Sequence, residues 1–448
     1  MTLRFNPFWA PFTYPLAEDA ATGAHLRILV GNTVFTTHKS RADGTLSEAP
    51  HLSAYPLAMW LAWHWWRLLW EPSHPGAFRD RQWLDAHNLR RTGGGYVWPD
   101  ITFASDGHKI MVLPKSTQDH PARPISYMNM TDKILTIPYE GFEGSVDEFI
   151  QSTIEQLNRH DISKNNLATL FNELNEEREN DDMAIYRRLE AMLGCDPDDG
   201  DETTISRMLA DIDNVGEPAI RELAARGAAH HKVSSVADLR EAANRLGFSG
   251  RRGDAAKPLS EDNLTPYGAG PAWQRGVEAA RALRARETLG NDPIGDARLA
   301  EIAGVSREAL RDTNNKFDFS FEIAETDGAI KLVHRSKWET GRRFELSRMI
   351  ADAVAVEPDA RLRSVTDVST YRQQLQKAFA AEFLAPIEGV EDYLNEEYEE
   401  GVSYDEDQQK DVSERYNVSP MTINSLLKNN RKIERSDYEV LDHLSDAA

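Results

Sequence analysis

Cysteine is almost absent: Cys195 is the only one in 448 residues. A single thiol closes no intramolecular disulfide and no cysteine-based metal site. Cationic side chains are also scarce, 51 Lys and Arg against 73 Asp and Glu, for a net charge of −22. Such a field repels phosphate backbones and anionic lipid surfaces, so nucleic-acid binding would need a local basic patch acting against the whole chain. No long apolar run is present. The richest stretch, 57–70, is too short to span a bilayer and carries His64 and Arg67. The opening MTLRFNPFWAPF has no basic segment followed by an apolar run, so no signal peptide is expected. These absences together predict a cytoplasmic protein with no membrane partner.

The apolar fraction is 40%, with 10 Trp, 13 Tyr and 16 Phe, enough to build ordinary cores. At roughly 150 residues per domain the length suggests about three domains. Residues 1–145 read as a mixed α/β module. A strand pair is expected at 25–37 around Gly31-Asn32, a helix at 53–70, a hairpin around Asp106-Gly107 and a strand at 134–138. Residues 146–247 carry apolar positions three and four apart and read as helical throughout, broken by the acidic turn at 195–202. The Gly-, Pro- and charge-rich stretch 248–271 reads as a linker. Beyond it, in 272–432, helices are expected at 273–286, 296–303, 307–313, 343–356 and 371–385. A hairpin is expected at 319–333 and a short helix–turn–helix at 411–428, leaving 433–448 as a tail. The class is α+β.

One segment carries a family likeness. A zincin active site places two histidines four apart on one helix face, with a glutamate beside the first to activate the zinc-bound water and a third ligand on a later helix. Residues 342–354 (RRFELSRMIADAV) resemble the active-site helix of the ImmA/IrrE-type metallopeptidases, which typically reads R-R-F-T-L-A-H-E-L-G-H-x-L. Arg342, Arg343, Phe344 and Leu346 match. Arg348 stands at the first histidine, Met349 at the glutamate and Asp352 at the second histidine. Residues 373–386 (QQLQKAFAAEFLAP) resemble the second motif, E-x-x-A-N-x-F-A-x-E-L-L-x-P, through Phe379, Ala380, Glu382, Leu384 and Pro386, with Gln373 in place of the ligand glutamate. Trp273–Leu310 and 414–419 resemble the flanking helices. The likeness covers the last third of the chain. It implies a mostly helical, zincin-like domain with a small sheet, without zinc, cofactor or catalytic residues.

Within 272–432 the only histidine is His334. An arginine at 348 repels a cation, by more than about 1 kcal/mol at close range even in a fairly high dielectric. Arg348 and Asp352, four apart on one helix, are expected to pair with each other where the family holds zinc.

Other constellations point to binding rather than chemistry. Trp60, Trp63, Trp66 and Trp70 make the helix at 53–70 a core element or an aromatic docking surface, with His64 and Arg67 on its narrow polar side. Gly93-Gly94-Gly95 after Arg90-Arg91 has no P-loop lysine and reads as a loop. His230 and His231 are adjacent and point apart. Cys195 sits among acids that raise a thiol pKa. No nucleophile–base arrangement is evident. Lys428, Arg431 and Lys432 give the tail a local basic character, the one candidate nucleic-acid contact. The acidic run 391–407 reads as a solvated loop or a surface for a basic partner. The expected function is that of a non-catalytic regulator or adaptor binding a protein partner. By family likeness it would act in bacterial stress response, mobile-element control or phage defence. The alternative is a DNA-binding transcriptional regulator using the basic tail.

Overall fold

A computed structural model describes residues 1–117, 120–128, 134–253, 257–311, 317–325, 328–398, 402–430 and 432. The chain is α+β and divides into two compact units at 205/206.

The N-terminal unit opens with β1 (Leu3–Trp9), α1 (Ala17–Ala21), β2 (Gly23–Val30), β3 (Thr33–Val34), β4 (His38–Ser40), β5 (Leu46–Ser47) and β6 (His51–Ser53). The short helices α2 (Tyr55–Trp63), α3 (Trp65–Trp70) and α4 (Arg81–His87) follow. Then come β7 (Asp100–Ser105), β8 (Lys109–Lys115), β9 (Ile125–Tyr127) and β10 (Leu135–Pro138). It closes with α5 (Tyr139–Arg159), α6 (Asn166–Glu179), α7 (Asp181–Met192) and the start of α8 (Glu202–Val215). All strand pairs are antiparallel, in sheets ordered β1-β2-β3 with β6 also on β2, β10-β8-β7 and β5-β4-β9. Along β2, Leu26, Ile28 and Val30 are buried while His25 and Arg27 face solvent, the period-two alternation of a sheet covered on one face. α5 buries Phe142, Val146, Phe149, Ile150 and Leu157 at helical spacing against the same core. The helix expected at 53–70 is interrupted at His64, the boundary residue of both α2 and α3.

The C-terminal unit takes up α8 and adds α9 (Glu217–His230), α10 (Val236–Leu246), β11 (Phe248–Arg251), α11 (Ala272–Arg286) and α12 (Asp296–Ala303). Next come β12 (Ser320–Ala324), β13 (Ala329–Val333), α13 (Glu339–Ala355), β14 (Leu362–Val365) and α14 (Tyr371–Leu384). The last helices are α15 (Ile387–Glu397), α16 (Glu406–Tyr416) and α17 (Pro420–Asn429). Its antiparallel sheet runs β11-β13-β12-β14. β11, at the head of the stretch read as a linker, is an edge strand whose Phe248 pairs with Leu332 and packs on the core. Residues 307–310 form a 3₁₀ turn, and the end of the helix expected at 307–313 lies outside the described residues. The acidic run read as a loop begins inside α15, where Val390 and Leu394 turn inward and earn it a place on the core.

Candidate functional site

α13 is buried on nearly every side, and five of its buried side chains are ionisable: Arg342, Arg343, Glu345, Arg348 and Asp352. A helix enclosed in this way is normally apolar all round. Each of these groups therefore needs a partner, because an unpaired charge in such a place costs several kcal/mol. The two arginines that match the family motif are structural. Arg342 donates to the Leu310 carbonyl at 2.8 Å. Arg343 pairs with Asp296 and donates to the carbonyls of Ile294 and Asn417 at 2.7 and 3.1 Å, tying α12 and α16 to α13.

The expected Arg348–Asp352 pair does not form. Asp352, fully buried, takes both Nε and Nη2 of Arg372 on α14, the Nε bond measuring 2.8 Å. Arg372 also reaches Glu357 at 3.2 Å. A two-bond fork to a facing helix satisfies a carboxylate better than a one-turn pair along the same helix. Arg348 instead donates through Nη2 to Gln373 Oε1 at 2.5 Å and to the Thr366 carbonyl at 2.8 Å, while its Nε has no partner. Burial pushes its pKa down to about 10. Met349 is an ordinary member of the apolar core.

Gln373 shows why an amide stands at this position. Its Oε1 accepts from Arg348 and from the Thr366 amide at 2.9 Å. Its Nε2 donates to Glu222 Oε2 at 2.8 Å and to the Ser364 carbonyl at 3.1 Å. All four capacities of the side chain are filled, two of them as a donor, which a carboxylate lacks. The position is fixed by Thr370, which caps α14 by accepting from the Gln373 amide at 3.2 Å. Burial pushes Glu222 upward against the pull of Arg372.

His334 is fully buried. Its Nδ1 lies 3.2 Å from Glu345 Oε2, and its Nε2 has no partner. Burial raises Glu345, but the bond to His334 and its charge outweigh this and hold the carboxyl below the usual range. Arg372, Glu222 and Glu345 escape sequence reasoning. Glu345 sits inside the first motif without matching it, Arg372 lies one residue before the second, and Glu222 lies 151 residues from its partner.

In the N-terminal unit Trp60, Trp65 and Trp66 are core residues, Trp70 is half-buried and Trp63 is exposed. Trp60 Nε1 donates to the Asp85 carbonyl at 3.0 Å, and Trp66 Nε1 to Glu177 at 2.9 Å. The set therefore does not form one docking face. A cavity of about 350 Å³ lies beside it, lined by Trp65, Trp66, Tyr139, Glu143, Arg178 and Arg188. His64 and Arg67 both reach Asp196, at 2.9 and 3.4 Å, and Arg67 Nε donates to Glu71 at 2.7 Å. Burial raises the Glu71 carboxyl to about 7 in spite of Arg67. Burial and Glu190 raise the Cys195 thiol. Arg90 and Arg91 are paired with Asp100 and Asp85, at 3.0 and 3.3 Å, and not directed at the glycine loop.

The basic tail is less available than its sequence implies. Lys428 is buried, Lys432 pairs with Glu391, and Arg431 lies outside the described residues. His230 bonds Asp367 at 3.0 Å, and His231 caps α9 in a left-handed conformation. Among the described residues no group of three His, Cys, Asp or Glu side chains is placed to hold a metal ion, and no helix is long and apolar enough to cross a membrane. Compared with protein-family models, with curated proteins and with solved structures, the chain matches none.

Proposed function

We propose that this chain is a cytoplasmic, metallopeptidase-like protein of ImmA/IrrE type that has lost peptide hydrolysis and acts as a regulator or adaptor by binding a protein partner. By family likeness its setting is bacterial stress response, mobile-element control or phage defence. The observation that carries the reading is the filled state of Gln373. The side chain at the third-ligand position holds four hydrogen bonds within the protein, one of them from the arginine at the first-ligand position. The residue at the second-ligand position, Asp352, is held by Arg372 in the same way. Side chains so engaged are positioned by the fold and not left open for a substrate water. A scaffold of this kind persists when its surface still binds something, and the function follows from that binding and not from the fold.

The test is to incubate the full chain with excess zinc and with the proteins that co-purify with it, and to follow their integrity. The expected result is a stable complex in which the partner stays intact. Cleavage of the partner that stops on chelation would overturn the reading.

A further inference from the structure

Three helices present successive rungs of side chains to one place. α9 offers Glu222 and, one turn on, Arg226. α14 offers Gln373 and, one turn on, Lys377. α13 offers Glu345 and Arg348. The first rung is closed by the bonds from Gln373 to Glu222 and from Arg348 to Gln373.

The second rung is open. Arg226 is buried, only 4% exposed, with its guanidinium 4.5 Å over the Phe319 ring, and among the described residues it has no hydrogen-bond partner. Lys377, half-buried and facing Arg348 and Arg335, has none either. Arg348 keeps its buried Nε free, and among the described residues the Arg335 guanidinium approaches Glu345 alone, at 3.9 Å. The acids around them are already held: Asp367 by His230 at 3.0 Å, Asp318 by Lys232 at 3.0 Å and Glu345 by His334 at 3.2 Å. Burial moves Glu222 toward its neutral form. The four cations thus share acids that other groups already hold, inside a chain of net charge −22. Unpaired buried cations are costly, and an oxyanion accepting from guanidinium and ammonium donors relieves that cost. The Arg335 and His230 side chains are 48% and 41% exposed, so the group is reachable from solvent on that side.

We propose that Arg226, Arg335, Arg348 and Lys377 bind a phosphate-bearing small molecule, its dianionic group bridging the second rung. The inference rests on the proposed reading of this unit as one that binds and does not cut. It adds the chemistry of the ligand: a compact dianion met by donors only, with guanidinium forks for its oxygens.

Inorganic phosphate is the probe. The full chain is titrated by calorimetry at constant ionic strength, with acetate as the monoanion control. Saturable one-to-one binding of phosphate, and none of acetate, is expected. Lys377→Gln and the exposed Arg335→Gln should each weaken it about tenfold, the loss of one charge-assisted hydrogen bond. Arg240→Gln, exposed on α10, should leave it unchanged. Arg335→Gln keeps the test open if Lys377→Gln fails to fold. No saturable phosphate binding, or binding that neither variant weakens, overturns the proposal. Zinc is titrated into the same preparation. Zinc binding overturns the proposed function, whereas absence of both ligands overturns only the phosphate site.

Discussion

In the N-terminal unit one arginine serves two carboxylates: Arg67 reaches Glu71 at 2.7 Å and Asp196 at 3.4 Å, with His64 sharing Asp196. In the C-terminal unit Arg372 likewise serves two carboxylates, Asp352 and Glu357, but further cations lie beside it: Arg348 has only an amide and a carbonyl, and Lys377 has no hydrogen-bond partner among the described residues. Burial acts on both clusters and moves the surplus group toward its neutral form. The Glu71 carboxyl rises to about 7, and the Lys377 ammonium falls to about 7, with Arg348 as the next cause. A cluster with surplus acid can settle by holding a proton. A cluster with surplus cation settles by losing one or by taking an anion, and only the second route makes a binding site.

The comparison breaks most sharply at Arg372. Arg372→Met leaves Asp352 buried and unpaired, and should destabilise the C-terminal unit by about 3–5 kcal/mol. Chemical denaturation followed by hydrogen exchange in α13 reads this. Adding Asp352→Leu should recover much of the loss, because an apolar pair tolerates burial that a lone charge does not. A loss below about 1 kcal/mol would mean that Asp352 finds water or another cation.

Glu71→Gln should cost less, about 1–2 kcal/mol, since Arg67 keeps Asp196 and the amide still accepts its bond. Thermal unfolding of the N-terminal unit checks this. The ranking of the two variants is itself informative: a larger loss at Glu71 than at Arg372 would reverse the account of which cluster carries surplus charge.

The pH dependences should run in opposite senses. Glu71 has a raised pKa in the folded chain, so its contribution is full below its ordinary value near 4.5 and fades as pH rises toward about 7. Lys377 has a lowered pKa, so the unfolded chain binds more protons between about 7 and its ordinary 10.5, and stability should rise with pH across that window. Each slope is bounded by about 1.4 kcal/mol per pH unit, and Lys377, partly exposed, should fall short of it. Lys377→Met should flatten the alkaline slope and leave the acid one. Stability curves taken from pH 4 to 10 decide between this and a common slope. The smallest effect belongs to Trp63: exposed at 45%, its change to Ser should stay within about 0.5 kcal/mol in the same denaturation assay.

Elements with strong periodicity are legible in the sequence. α10 and α14, and the β7–β8 hairpin at Asp106-Gly107, lie where spacing and turn residues put them, while α5 begins at Tyr139, ahead of the helical stretch expected from 146. α3 is separated from α2 at His64, whose ring contacts Asp196, 132 residues away, a contact that no local pattern signals. β11 escapes because a Gly- and Arg-rich strand has no alternation to read, and its existence depends on pairing with β13. At the candidate site the positions of Arg348, Asp352 and Gln373 follow from the motif, but their partners do not. The helical spacing of Arg348 and Asp352 permits the one-turn pair, and only the approach of α14 shows that Arg372 displaces it. Lys428 reads from the sequence as one of a run of cations, and its burial depends on how α17 packs.

The central claim is that hydrogen bonds within the protein occupy the positions where the resembled family holds zinc. Zinc titrated calorimetrically into the full chain, beside a variant carrying Arg348→His, Met349→Glu, Asp352→His and Gln373→Glu, tests it most directly. The account predicts no stoichiometric zinc in the natural chain, and a single site in the variant once Arg372→Met frees the second histidine. One zinc bound by the natural chain and lost on Asp352→Ala or Gln373→Ala would contradict it.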